Sequence, residues 1–168
     1  MVLAGQHVQP DRYTVIPRTL IFLRRDNDIL LLKIGEQRGA WSGKFNGIGG
    51  HIEAGEDPIS SARREIIEET GLQPLDLWLC GVVHVDTGTN PGIGLYVFTG
   101  TASAGELSHS EEGEPEWIPI PSLASIPLVS DLGSLIPAAL ESSDNRTPFS
   151  AITTFDEDGN PIVQFSNR

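Results

Sequence analysis

The stretch GHIEAGEDPISSARREIIEETGL, residues 50–72, decides how this chain is read, because it gathers Glu56, Arg64, Glu65, Glu68 and Glu69 around one short predicted helix. Asp57 followed by Pro58 starts that helix: an Asp N-cap accepts backbone N–H bonds, and proline at the first helical position gives up a donor the helix does not use. Gly71 stops it. At ~100° per residue, Glu65, Glu68 and Glu69 fall within an arc of about 100° on one face. Ile59, Ala62 and Ile66 form an adjoining apolar stripe, so the helix is expected to dock on a core with the three carboxylates at its rim. Arg64 precedes Glu68 by one turn, the spacing at which an i,i+4 pair orients a carboxylate. Like charges this close raise one another's pKa values unless a cation neutralises them. A hard divalent ion suits them, since Mg²⁺ prefers oxygen ligands and keeps waters and substrate phosphates in its shell.

A glutamate-rich helix face is, taken alone, most often simply solvated. Here the pattern is far more constrained. The stretch resembles the signature of the Nudix hydrolases, G-x5-E-x7-R-E-U-x-E-E-x-G-U with U aliphatic, at Gly50, Glu56, Arg64, Glu65, Ile66, Glu68, Glu69, Gly71 and Leu72. The resemblance implies an α/β/α sandwich around a mixed sheet and hydrolysis of a nucleoside diphosphate linked to a further group, with Mg²⁺ or, as its substitute, Mn²⁺.

Composition narrows the partners. The 168 residues carry 11 basic and 23 acidic side chains, a formal charge of −12, with no basic run. Binding a nucleic acid polymer through its phosphates needs clustered Lys and Arg, so that class is excluded. A small anionic substrate approaches an unfavourable field and is expected to come with metal. Cys80 is the only cysteine, so no intramolecular disulfide forms, and within LWLCGVV it reads as a small buried hydrophobe. Asp11, Arg12 and Pro17 interrupt what a signal peptide would need, and no apolar run approaches a membrane span. A cytoplasmic protein is expected, with monomer and homodimer both open.

Along the chain, residues 1–12 read as a lead-in and 13–168 as one domain. TVIPRTLIFLRR (14–25) and DILLLKI (28–34) read as paired strands around Asp26 and Asn27. WSGKFNGIGG (41–50) is glycine-rich, which allows close backbone approach. LDLWLCGVVHVD (75–86) and GIGLYVFTGTAS (92–103) are further strands across the turn DTGTNPG. GELSHSEEGEPE (105–116) reads as an acidic loop before a short strand WIPI. A second helix is expected over 131–140, with Pro137 against its continuity. SDNRTP (143–148) reads as a linker, and residues 150–166 as a terminal hairpin turning at Asp158 and Gly159. Strands on both sides of a helix, with another helix late, give an α/β sandwich, in agreement with the resemblance.

Within that family, WSGKFNGIGGHIEAGE resembles the branch that hydrolyses oxidised purine nucleoside triphosphates. SEEGEPEW (110–117) resembles an acidic segment that supplies one more metal-binding glutamate, which maps to Glu112. The resemblance implies Glu65, Glu68, Glu69 and Glu112 as metal ligands, the Gly49 carbonyl in the inner shell, and Asn46 on the base. It also implies Asp131 as a carboxylate reading the purine edge. Val129 and Leu132 depart from the branch, standing where it has a stacking tryptophan and a second aspartate. Plainer readings stand beside these: Asn46-Gly47 is an ordinary turn pair, and Asp131 also suits a helix N-cap. Trp41 is the candidate pocket wall, and His84 reads as structural.

The expected chemistry is metal-assisted attack of water on a phosphorus of the phosphoanhydride bridge, with Glu65 or Glu112 as base and Arg64 holding a glutamate in place. The foremost substrate is a nucleoside triphosphate such as 8-oxo-dGTP, cleaved to monophosphate and pyrophosphate. Other substrates of the family are the alternative: ADP-ribose, dinucleoside polyphosphates or nucleotide sugars. A non-catalytic nucleotide sensor has no need of every carboxylate in the signature.

Overall fold

The four residues Leu20, Ile21, Phe22 and Leu23 are all buried, which a strand achieves only when both faces of its sheet are covered. They sit in β1 (Val15–Arg25), and alternation divides them. Leu20 and Phe22 pack into one core cluster, Ile21 and Leu23 into a second on the opposite face. The computed structural model describes residues 9–166, so residues 1–8 of the expected lead-in lie outside the described residues.

β2 (Asp28–Ile34) returns antiparallel to β1 after a turn in which Asp26 takes φ 52°. The remaining strands and α-helices are β3 (Phe45–Asn46), α1 (Pro58–Thr70), β4 (Pro74–Val85), β5 (Gly92–Ala102), β6 (Gly113–Pro119), α2 (Leu132–Asn145), β7 (Phe149–Phe155) and β8 (Pro161–Phe165). They build one eight-stranded sheet in the order β3-β2-β1-β5-β4-β7-β8, with β6 also paired to β2. β1 runs parallel to β5 and β4 parallel to β7, while the other pairs are antiparallel, so the sheet is mixed as expected.

α1 covers one face through Ala62 and Ile66, against Ile21, Leu23, Leu30, Ile48 and Phe98. α2 covers the other through Leu132, Leu135, Ile136 and Ala139, against Phe22, Val83, Val97 and Phe149. The architecture is an α/β/α sandwich. No helix of the described residues is long and apolar enough to cross a membrane.

Sequence and structure part at several points. Ile59, expected in the apolar stripe of α1, is 41% exposed, and the stripe that packs begins at Ala62. β6 begins at Gly113, inside the stretch read as an acidic loop: pairing with β2 gives Glu114 and Glu116 a ladder position, and strand propensity is subordinate to that. α2 runs through Pro137 to Asn145 and takes in the start of the expected linker. Pro137 is exposed, and burial of Ala139 and Ser142 beyond it holds the helix, with Ser142 Oγ donating to the Cys80 carbonyl at 2.9 Å. Cys80 is fully buried as read, and burial pushes its thiol up to about 12.

The contrast within α1 is measurable. Ile66→Ala should cost ~2–5 kcal/mol of stability by leaving a cavity, whereas Ile59→Ala should stay within about 1 kcal/mol. Urea unfolding of the two variants checks this, and equal losses would mean that α1 does not dock as described.

Candidate active site

The carboxylates converge because two local structures meet. Asp57 caps α1, its Oδ1 accepting from Ile59 N at 2.9 Å and Ser60 N at 3.0 Å. Gly71 closes it in the left-handed region at φ 74°. Against this helix lies the segment from Asn46 to His51, held to β1 by Ile21 N to Ile48 O at 2.7 Å and Thr19 N to Gly50 O at 2.9 Å. Gly49 has φ 144°, and a Cβ there would collide with the Thr19 carbonyl, so only glycine fits. Its N–H donates to Glu69 Oε2 at 3.0 Å. A Cβ on Gly50 would stand 2.5 Å from Glu65 Oε1, so the second glycine is what lets that carboxylate reach the backbone.

Arg64 joins the parts. Its Nε and Nη2 donate to the two oxygens of Glu56 at 2.7 and 3.0 Å. Nη1 reaches Glu65 Oε1 at 2.8 Å and Glu68 Oε2 at 3.1 Å, and Nη2 also reaches the His51 carbonyl at 3.1 Å. One planar fork thus ties the loop before the helix to two of its carboxylates.

The carboxylates differ in their electrostatics. The Arg64 bond, helped by the Glu53 backbone, holds Glu56 down at about 2. Glu65 is raised, because burial outweighs its bond to Arg64 and the charges of Glu68 and Glu112 add to the effect. Glu69 is pushed up to about 8: burial dominates, the Gly49 N–H opposes it, and Glu112 and Glu65 repel its charge. Glu112 lies on an exposed loop yet comes within hydrogen-bonding reach of Glu69. Glu68 is the outermost, with 58% of its side chain exposed.

Among the described residues no three His, Cys, Asp or Glu side chains are already gathered so that they could hold a metal ion. Arg64 and the Gly49 N–H hold Glu65, Glu68 and Glu69 in separate hydrogen bonds. The donor set itself is that of a hard cation: carboxylate oxygens, those of Glu65 and Glu69 on side chains whose pKa burial raises.

On the other side of the Gly49-Gly50 backbone opens a cleft of about 280 Å³. Trp41, Asn46 and Asp131 all line it, so the structure brings the three sequence candidates together. Asn46 ends β3, and its Oδ1 accepts from the adjacent Gly47 N at 2.8 Å, which leaves its amide N–H groups for a ligand. Asp131 occupies the N-cap position of α2 but makes no side-chain cap bond, and burial raises its carboxyl. Val129 and Leu132, the departures from the oxidised-purine branch, are buried at the cleft's floor. Trp41 stands at its rim, 45% exposed. His84 is exposed on β4 and is not among the described residues that line the cleft.

Sequence reasoning missed Arg18, Thr87, Phe155 and Pro161, which also line the cleft. Only the alternation of β1 offered a signal: Arg18 shares a face with Leu20 and is charged where its neighbours are apolar. Phe155 and Pro161 flank the turn between β7 and β8, and nothing local connects that turn to a cleft formed far away in sequence.

Comparison with known proteins agrees with this geometry. The family model described as the NUDIX domain matches residues 15–139. The chain is 32% identical over 103 residues to an oxidized purine nucleoside triphosphate hydrolase of Danio rerio, covering 61% of this chain and 65% of that one, just under two thirds of that relative's length. It is 27% identical over 124 residues to the Mus musculus protein of the same name, covering 73% and 78%. Among solved structures, a MutT protein from Bacillus halodurans matches with a TM-score of 0.74 at 23% identity, over 90% of this chain and 98% of that one. A UDP-X diphosphatase matches with a TM-score of 0.69 at 18% identity, over 84% and 68%. Likeness at these identities speaks for the fold, and the sequence match for the family. Signature helix, sandwich and family match coincide, and the chain belongs to the Nudix hydrolase family.

Proposed function

We propose that this protein is a Mg²⁺-dependent pyrophosphatase of purine nucleoside triphosphates, releasing the monophosphate and pyrophosphate, with an oxidised purine such as 8-oxo-dGTP the foremost substrate. One observation carries the reading: the cleft lined by Asn46 and Asp131 backs onto the Gly49-Gly50 backbone whose far side meets Glu65 and Glu69. A purine seated in the cleft would direct its phosphates past the two glycines to the carboxylates. The names of the Danio rerio and Mus musculus relatives support the substrate class. Phe155, Gly159 and Pro161 line the cleft, which supports reading residues 13–168, hairpin included, as one domain.

Nudix enzymes generally use divalent metal ions. In this chain Glu65, Glu68, Glu69, Glu112 and the Gly49 carbonyl would hold the ion. When bound, it supplies Lewis-acid polarisation of a phosphoryl oxygen and a lowered pKa for the attacking water. Arg64 orients Glu65 and Glu68, and Glu65 or Glu112 takes the proton of the attacking water. Trp41 closes the rim over the base, Asn46 donates to it, and Asp131, raised in pKa, meets the purine edge. Val129 in place of an aromatic removes a stacking partner and so weakens discrimination for the oxidised base.

The test is turnover of a panel of purine and pyrimidine triphosphates, ADP-ribose and a nucleotide sugar, resolving pyrophosphate from phosphate. Purine triphosphates should be preferred, with pyrophosphate as product. Asp131→Ala should lower kcat/KM by ~1–3 kcal/mol for the preferred purine and far less for a pyrimidine. Preference for ADP-ribose or a nucleotide sugar would overturn the substrate class, and equal losses across bases would remove Asp131 from recognition.

A second expectation concerns metal-free stability. Glu69 holds its proton more tightly in the folded chain, at about 8 against an ordinary 4.5, so its contribution is complete below 4.5 and is lost as pH rises through 8. Glu56 has the opposite sign: held at about 2, it contributes above 4.5 and its contribution is lost as pH falls through 2. With chelator at fixed ionic strength, Tm should fall between about pH 5 and pH 8.5, and fall less in Glu69→Gln. A profile equally steep in both proteins would contradict the assignment to Glu69.

A further inference from the structure

The cleft carries two charged side chains of opposite sign that are not paired with each other. Among the described residues Asp131 is its only acidic lining residue and Arg18 its only basic one, and no ion pair joins them. Arg18 is half-buried in β1, and its side chain makes no hydrogen bond, ion pair or ring contact among the described residues. The other arginine near the site, Arg64, is committed to Glu56, Glu65 and Glu68. In a chain of net charge −12, a lone guanidinium facing a cleft is a feature that the fold does not use.

Register gives it a position. Leu20 lies at the floor, near Gly47, and Arg18 lies two residues along the same face, about 7 Å nearer the mouth at ~3.4 Å per residue. Across the gap Arg18 is bridged to His51, whose carbonyl is held by Arg64. Arg18 therefore stands at the carboxylate end of the cleft, while Asn46 and Asp131 mark the base end.

We propose that Arg18 is the phosphate anchor of the cleft, its guanidinium binding the phosphate nearest the nucleoside. The inference rests on the nucleotide reading above and deepens it: the cleft selects a ligand with hydrogen-bonding groups at one end and an anion at the other, so that phosphorylation is recognised independently of the metal. A planar fork suits bidentate binding of phosphate, and a half-buried site strengthens it relative to open solvent.

Calorimetry with chelator present tests it without turnover, using dGMP and deoxyguanosine as probes and Arg18→Gln and Arg18→Lys as variants. Both variants should keep the wild-type Tm, since the side chain has no partner to lose among the described residues. Arg18→Gln should weaken dGMP by about 10-fold or more and leave deoxyguanosine unchanged, with Arg18→Lys in between. In steady state KM should rise with kcat little altered. Equal loss for dGMP and deoxyguanosine, or no loss for either, overturns the phosphate anchor while leaving the function standing. A wild-type protein that neither binds dGMP nor hydrolyses purine triphosphates overturns the function and, with it, the anchor.

Discussion

The site depends on how one guanidinium is shared. Arg64 spends its donors on Glu56, Glu65, Glu68 and the His51 carbonyl, and these belong to three different pieces of chain: the loop entering the helix, the helix itself, and the end of the glycine segment. With Glu65 only 8% and Glu69 4% exposed, the carboxylates are held where their ionisation is costly. Arg64 offsets that cost for Glu56 and in part for Glu65, and it does not touch Glu69. At Glu69 burial and the neighbouring Glu112 and Glu65 keep the carboxyl reluctant to ionise.

The glycines complete the arrangement from the other side. Gly49 must be glycine because the Thr19 backbone fills the space a Cβ would take, whereas a Cβ on Gly50 would displace the Glu65 carboxylate. The backbone there is a thin partition with carboxylates on one side and a cleft on the other. Both faces of this partition are positioned by the same hydrogen bonds to β1.

Legibility followed locality. The caps of α1, the pairing of β1 with β2 and the grouping of carboxylates were readable because each is decided by residues a few positions apart. Asp57 does cap α1, but Asp131, the same residue type at the same helix position, does not cap α2, since its carboxyl faces a cleft that sequence cannot see. β6 starts inside an acidic run because β2 supplies a ladder, and α2 passes Pro137 because Ser142 is drawn to the Cys80 carbonyl. Arg18 and the β7–β8 turn enter the site only through tertiary packing. Trp41, the candidate pocket wall, stands half-exposed at the rim of the cleft.

The central claim is that buried, undercompensated carboxylates on α1 form the ion site. Thermal unfolding in a Mg²⁺ series at pH 7.5 and constant ionic strength measures it most directly, for the wild type and Glu69→Gln. The wild-type Tm should climb with the logarithm of Mg²⁺ concentration once above Kd, because the ion binds the folded chain alone. Glu69→Gln should start higher in chelator and lose most of that climb. A Glu69→Gln variant that keeps the full Mg²⁺ shift would place the ion elsewhere and contradict the account.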